Sequence, residues 1–389
     1  MTKVSLQAAE GARLEKQAKP EEAIREFERA LAHDAQDATA LIGLARLRLS
    51  RSENDAGRAL LRRLLKVDPQ NAEAQVHLAR LDAAAGDEKA LGVLKGLAAR
   101  KDADAFVLLS LGQTLLTRGR FEDAAQAFER ALGLQPEESS ILLALGMARQ
   151  GQGKGEQALQ HFQKATEVNP GDYQAPLLAA RLLVHQGQPN RALVLMKQAM
   201  ERVPDKAELY PELIKLYLLL GETKGAMRTA AEFRTHSPRS AEAAYLHGLT
   251  NMMMGHTQEA ERLLKASLSL EPNGIDARLA LANMLRMEGD QAGAMKWLQE
   301  AWTLNPQAPG PACELAVLFM SQPGGTAQAV QLLGVALGAH PDEPSLNLNM
   351  ALALAGSDVP KAREHALRAK ARGPKSIREQ AERLLSRLS

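Results

Sequence analysis

Apolar and small residues recur along this chain at the spacing of one face of an α-helix. Within residues 105–138 they form two stripes separated by a turn at Gly119, namely Leu108, Leu111, Gly112 and Leu115, then Ala124, Phe128 and Ala131. Residues three and four apart lie on the same side of a helix, so each stripe predicts a helix with one buried face. The chain lacks the alternation of β-branched and polar residues that strands require. The sequence therefore predicts an all-α protein.

This helical pattern repeats every 34 residues. Prolines mark the period, because one follows each second stripe at Pro136, Pro170, Pro204, Pro238, Pro272 and Pro306. A fixed period of this length indicates a solenoid, in which each unit buries its apolar face against the next. Aligned on the prolines, the chain contains eleven units, which begin near Val4, Ala38, Ala72, Ala105, Ser139, Tyr173, Ala207, Ala241, Ile275, Pro309 and Pro344.

The unit closely resembles the tetratricopeptide repeat, which has a small residue at position 8, Ala at positions 20 and 27, and Pro at position 32. In residues 105–138 these positions hold Gly112, Ala124, Ala131 and Pro136. A small residue at position 8 lets the two helices approach closely, and a glycine at position 15 ends the first helix by adopting a positive φ. The position-15 glycines are Gly119, Gly153, Gly187, Gly221, Gly255 and Gly289.

The resemblance implies a right-handed α-solenoid, and we expect one continuous array over residues 1–389. After the last unit, residues 377–388 are charged and predict a C-terminal capping helix. Ser376 is expected to be the N-cap of this helix, with Glu379 as its capping-box partner.

A second face of each first helix is also largely apolar. Positions 5, 9 and 12 are four and three residues apart, so they share a side of the helix. In tetratricopeptide proteins this side lines a concave groove that binds extended or helical peptides, and the resemblance implies the same here. With position 13, the residues predicted to line the groove are Leu109, Leu116, Leu143, Met147, Leu177, Arg181, Val184, Lys215, Leu218, Tyr245, Leu249, Met252, Met253, Leu279, Met287, Val317 and Met320.

Two points about this groove stay open at the level of sequence. Position 9 also holds Arg46 and Arg80, which would add polarity at one end of the groove. The alternative interpretation of positions 5 and 12 is that their side chains only pack against the first helix of the neighbouring repeat.

The stretch NMMMGH at residues 251–256 places three methionines beside a histidine. Thioether side chains repack readily, so Met252 and Met253 favour a groove that fits an amphipathic partner. Ordinary core packing is the main alternative, and a soft-metal site is a third. A metal site needs convergent ligands, whereas His247 falls on the face inside the hairpin and His256 lies beyond the turn.

Composition narrows the possible functions. The 48 Lys and Arg nearly balance the 46 Asp and Glu, so the formal net charge of +2 gives no general attraction to nucleic acid. No HExxH, CxxC, Walker A or GxSxG motif is present, so no catalytic, metal or cofactor site is expected. The chaperone-binding carboxylate clamp of some tetratricopeptide proteins is also not expected, because position 5 never holds Lys.

We therefore expect a non-enzymatic scaffold or adaptor that binds a protein or peptide partner. The alternative is a structural subunit of a bacterial-type envelope assembly, such as a pilus, secretion or polysaccharide-export machine. Cys313 is the single cysteine, so no internal disulfide can form, and no apolar run approaches the length that spans a bilayer. These features favour a cytoplasmic location, with a periplasmic or membrane-associated one as the alternative if a leader or anchor has been removed.

Overall fold

The computed structural model describes residues 6–388, and over that range the chain forms 23 α-helices and no strand. The helices of the first half are α1 (Leu6–Lys16), α2 (Pro20–His33), α3 (Ala38–Ser50), α4 (Asn54–Val67), α5 (Ala72–Ala84), α6 (Glu88–Ala99), α7 (Ala105–Thr117), α8 (Phe121–Leu134), α9 (Ser139–Gly151), α10 (Gly155–Val168), α11 (Gln174–His185) and α12 (Pro189–Arg202). Those of the second half are α13 (Leu209–Leu219), α14 (Thr223–His236), α15 (Ala241–Met253), α16 (Thr257–Leu270), α17 (Ile275–Met287), α18 (Gln291–Leu304), α19 (Pro309–Met320), α20 (Thr326–Ala339), α21 (Pro344–Leu354), α22 (Val359–Arg372) and α23 (Lys375–Arg387).

Odd-numbered and even-numbered helices alternate as the first and second helices of successive repeats. The first helices begin within two residues of ten of the eleven predicted starts. The start near Val4 lies outside the described residues. The prediction of eleven repeats is therefore confirmed over the described part of the chain, and the fold is an all-α solenoid.

The six predicted turn glycines have φ between 70° and 89°. This left-handed conformation is open to glycine at little cost, and it lets the chain leave the first helix and start the second within three residues. The expected role of position 15 is confirmed.

Close packing inside the hairpins explains the small residue at position 8. A Cβ added at Gly112 would lie less than 3.0 Å from the ring of Phe128, and the same is true of Gly146 with Phe162. Both rings are fully buried. The glycine is therefore required because the neighbouring helix places an aromatic side chain where a larger residue would stand.

The capping helix differs from the prediction at its first turn. It begins at Lys375, its N-cap residue is Pro374, and no side chain caps it. Ser376 lies inside the helix, so its predicted role as N-cap is wrong. The backbone at Pro374 is extended, with φ −61° and ψ 167°, and proline's fixed φ suits that conformation.

The described helices form two compact units, Met1–Leu195 and Met196–Ser389. Within each unit a helix packs against its hairpin partner and against the next hairpin. The boundary falls inside α12, so the expectation of one continuous array stays a prediction. No helix among residues 6–388 is both long enough and apolar enough to cross a membrane.

We predict that Gly112→Ala lowers the free energy of unfolding by about 1–3 kcal/mol, because the rigid Phe128 ring cannot make room for a methyl group. Gly133→Ala is the matched control, since no atom lies within 4 Å of a Cβ built there. We expect the control to leave stability unchanged or slightly increased. Urea denaturation followed by circular dichroism measures both values.

The double variant Gly112→Ala/Phe128→Leu tests the cause. Other repeats combine Ala at position 8 with Leu at position 24, as Ala45 and Leu61 do, and both of those residues are fully buried. The second substitution should therefore cost less in the Gly112→Ala background than in the native chain. Strict additivity of the two effects would contradict the packing explanation.

Candidate functional site

None of the seventeen predicted groove residues is fully buried, but they fall into two classes. The ten at positions 5 and 12, together with Leu249, are half-buried. The exposed ones lie at positions 9 and 13, and they are Met147, Arg181, Lys215, Val317, Met253 and Met287. Of the apolar ones the most accessible is Met287, which is 77% exposed.

The half-buried residues have two structural roles. Leu109 and Leu116 pack against the core that joins α5 to α9, and Tyr245 and Met252 pack against the core of α16 and α17. Packing between neighbouring repeats therefore accounts for part of their surface, as the alternative interpretation required. Since each of these side chains still has exposed surface, it both packs between neighbouring repeats and borders the surface that carries the exposed residues of positions 9 and 13.

In the second unit the structure brings four of the predicted residues together. Lys215, Leu218, Tyr245 and Leu249 line a cleft of about 700 Å³ between the first helices α13, α15 and α17. The first turn of α17, residues 275–277, forms the far wall. The other predicted residues of this unit, Met252, Met253, Leu279, Met287, Val317 and Met320, do not line this cleft.

Three carboxylates border the cleft, and the sequence analysis missed them. Glu242 and Asp276 occupy position 2 of their repeats, and Glu271 lies just beyond the end of α16. None of the three has an ion-pair partner among residues 6–388. Burial raises the pKa of Tyr245, and the nearby charge of Asp276 raises it further. The cleft therefore has an apolar floor, a neutral phenol and a negatively charged rim.

Among residues 6–388, Lys215 is the only cation that lines the cleft, and its charge is partly compensated. Its Nζ lies 3.8 Å from the carboxylate of Glu212, one turn earlier in α13. Both side chains stay in contact with water, so the pair contributes little stability. The position-2 carboxylates could have been found from the sequence by asking which residues of the next repeat face position 9.

The first unit shows this relation between position 9 and the next repeat directly. Arg46, at position 9 of its repeat, donates from Nη1 to Glu73 of the next repeat at 2.9 Å. It also donates from Nε to Glu15 of the preceding repeat at 3.0 Å. Arg46 is thus held by internal ion pairs on both sides, which the sequence analysis did not foresee. Arg46 therefore ties neighbouring repeats together instead of adding polarity to the groove.

The methionines of residues 251–256 occupy different environments. Met252 packs against the core, Met253 is 48% exposed, and Met254 is the C-cap residue of α15. His256 Nδ1 lies 3.3 Å from the side-chain oxygen of Asn251, and the pKa of His247 is lowered by burial. Groove lining therefore fits Met253 and core packing fits Met252. Over the described part of the chain, no three His, Cys, Asp or Glu side chains are grouped so as to hold a metal ion.

Comparison with known proteins identifies the repeat. Two sequence models, both described as tetratricopeptide repeat, match the chain. One matches residues 88–139, 109–173, 143–207 and 245–309, and the other matches residues 14–75 and 183–249. Together they extend over residues 14–75 and 88–309, which is more than half of the 389 residues.

Individual relatives are more distant. Anaphase-promoting complex subunit 7 of Arabidopsis thaliana is 36% identical over 91 residues, which is 23% of this chain and only 16% of that protein. The crystal structure of yeast Tom70 is 13% identical, with 98% of this chain and 94% of that chain covered and a TM-score of 0.56. A tetratricopeptide repeat protein from Parabacteroides merdae is 18% identical, with 73% and 98% covered and a TM-score of 0.51. At these identities the structural likeness shows the fold.

We predict that mild oxidation with hydrogen peroxide distinguishes the two kinds of methionine. Sulfoxide formation follows solvent access, so Met253 and Met287 should oxidise several times faster than the buried Met196 and Met284. Peptide mass spectrometry at successive times measures the four rates. Equal rates for Met287 and Met284, which lie in the same helix, would contradict the assignment of the exposed face.

Proposed function

Because the chain belongs to the tetratricopeptide repeat family, we propose that it is a non-enzymatic scaffold or adaptor that binds a partner protein through the cleft between α13, α15 and α17. Repeats of this family typically build protein-interaction surfaces. The proposed ligand is an apolar or amphipathic segment of the partner, extended or helical.

The observation that carries this proposal is the combination of apolar and acidic surface in one cleft. Leu218, Tyr245 and Leu249 come from two successive first helices and point their partly exposed side chains into the same space. A helix that is apolar on two sides needs a second covering surface. Neighbouring repeats cover part of it, and the cleft of about 700 Å³ is where an incoming segment would cover the rest.

The charge of the cleft restricts the partner further. Glu242, Glu271 and Asp276 lack cationic partners among the described residues, whereas Lys215 is near Glu212. A segment with Lys or Arg beside its apolar anchors would complement this rim and associate faster at low salt. Binding should therefore weaken as ionic strength rises.

The remaining properties of the chain support a binding role over a chemical one. The net charge of +2 gives no general affinity for nucleic acid, and the motif content contains no recognisable catalytic constellation. We also propose a cytoplasmic location, which a chain with the single thiol of Cys313 suits.

The test starts with a photo-crosslinking residue, p-benzoylphenylalanine, placed at Leu249 in the native host cell. Mass spectrometry of the crosslinked product gives the partner segment, and a synthetic peptide of that sequence gives the dissociation constant. We predict that Leu249→Glu weakens binding of this peptide at least about tenfold, because it places a charge on the apolar floor of the cleft.

Leu367→Glu is the matched control. Leu367 is 52% exposed on α22 of the same unit and lies outside the cleft, so the same chemical change there should leave the dissociation constant unaltered. Circular dichroism checks that both variants are folded. The proposal fails if the two variants bind the peptide equally well.

A further inference from the structure

Arg80 is a half-buried cation without a carboxylate. It lies at position 9 of its repeat, on α5. Its one polar contact among residues 6–388 is from Nη2 to the Nδ1 atom of His77 at 3.5 Å, which is long for a hydrogen bond. A guanidinium has five N–H donors, and taking them from water without an acceptor costs free energy. Burial accordingly lowers the pKa of Arg80, with no neighbouring acid to offset it.

The other half-buried arginines show what is missing at Arg80. Residues 6–388 contain eight half-buried arginines including Arg80, and six of them contact a carboxylate, namely Arg46, Arg48, Arg58, Arg118, Arg149 and Arg278. Arg234 instead donates to the backbone carbonyl of Pro238. Of these eight half-buried arginines in the described chain, only Arg80 contacts neither kind of oxygen.

The repeat explains why the partner is absent. One repeat earlier, Arg46 at position 9 is paired with Glu73 at position 2 of the next repeat, at 2.9 Å. The residue at position 2 after Arg80 is Phe106, at the start of α7. Phe106 is 36% exposed, and its ring centroid lies 5.2 Å from that of the His77 imidazole. An aromatic ring therefore stands where the equivalent site supplies the carboxylate.

We propose that Arg80, His77 and Phe106 form a binding site in the first unit for an acidic side chain of a partner protein. The carboxylate of the partner accepts hydrogen bonds from the guanidinium of Arg80, as Glu73 accepts from Arg46, and an apolar residue next to it covers the exposed Phe106 ring. Hairpins continue on both sides of this site, so the bound chain can extend in both directions. This favours an internal Asp or Glu of an extended segment as the ligand.

This site is separate from the cleft of the second unit and has the opposite charge preference. Glu73 does not compete for Arg80, because its carboxylate already accepts from Arg46 and lies 3.7 Å from Nε2 of His77. His77 and Arg46 together hold the pKa of Glu73 below its ordinary value, so Glu73 stays ionised and engaged. The guanidinium of Arg80 is thereby left for an external acid.

The experiment uses a pair of short peptides of alternating Leu and Glu, or Leu and Gln, with both termini blocked and a neutral BODIPY label. Fluorescence anisotropy with the full-length chain gives both dissociation constants. We expect the Glu peptide to bind at least about tenfold more tightly than the Gln peptide, because charge-assisted hydrogen bonds are the stronger kind. Arg80→Gln should abolish this preference.

Two further variants separate a specific site from general attraction to positive charge. Arg62→Gln removes the same charge from an exposed position on α4 that has no ion pair in the described chain, and it should keep the preference. Phe106→Glu gives Arg80 the internal carboxylate that Arg46 has, so it should abolish binding of the Glu peptide without lowering the midpoint of thermal unfolding. A preference that survives Arg80→Gln, or that Arg62→Gln also removes, overturns the proposal.

Discussion

The limited space between the two helices of each hairpin is the constraint on which the rest of the structure depends. Position 8 of the first helix and position 24 of the second share this space. In some repeats glycine at position 8 is combined with phenylalanine at position 24, as in Gly112 and Phe128, and in others alanine is combined with leucine, as in Ala45 and Leu61. Gly248 is combined with Leu264. The repeat that begins near Ala207 reverses the order, with Ile214 on the first helix and Ala230 on the second, both fully buried. In each of these pairs a larger residue on one helix is matched by a smaller residue on the other, as close packing requires.

One side of every first helix packs inside the hairpin to fill that space. The residues on its other side can therefore vary in chemical character from repeat to repeat. On this second side, positions 5 and 12 are partly covered by the neighbouring repeats, whereas position 9 is free to hold almost anything. It carries Met147, Leu249 and Val317 in some repeats and Arg46 or Lys215 in others. The same backbone geometry can therefore present an apolar cleft with an acidic rim in one unit and an unpaired arginine in the other. Variation at the few positions that packing does not decide is what gives such an array its specificity.

The features of the fold that depend on contacts within one hairpin could be predicted from the sequence. The starts of the helices, the left-handed glycines and the small residues of position 8 all follow from a local period, and a local period is visible in a single chain. Ser376 was misassigned because a serine followed three residues later by glutamate matches the capping-box pattern, while the extended backbone of Pro374 had already started the helix. The ion pairs of Arg46 were missed for a different reason. They join three successive repeats, and their geometry depends on the rotation between hairpins, which the period alone does not specify.

That rotation also determines which of the predicted groove residues can act together. It places position 9 of one repeat beside position 2 of the next, so the two positions form one site whose properties depend on both residues. Arginine with glutamate, as in Arg46 and Glu73, satisfies the charges internally and ties the repeats together. Leucine before aspartate, as in Leu249 and Asp276, leaves an apolar surface with a free negative charge, and arginine before phenylalanine, as in Arg80 and Phe106, leaves an unpaired cation beside an exposed ring. Where the charges of the two residues are paired within the chain, the pair stabilises the array. Where a charge or an apolar surface is left without a counterpart, it can interact with a partner protein instead.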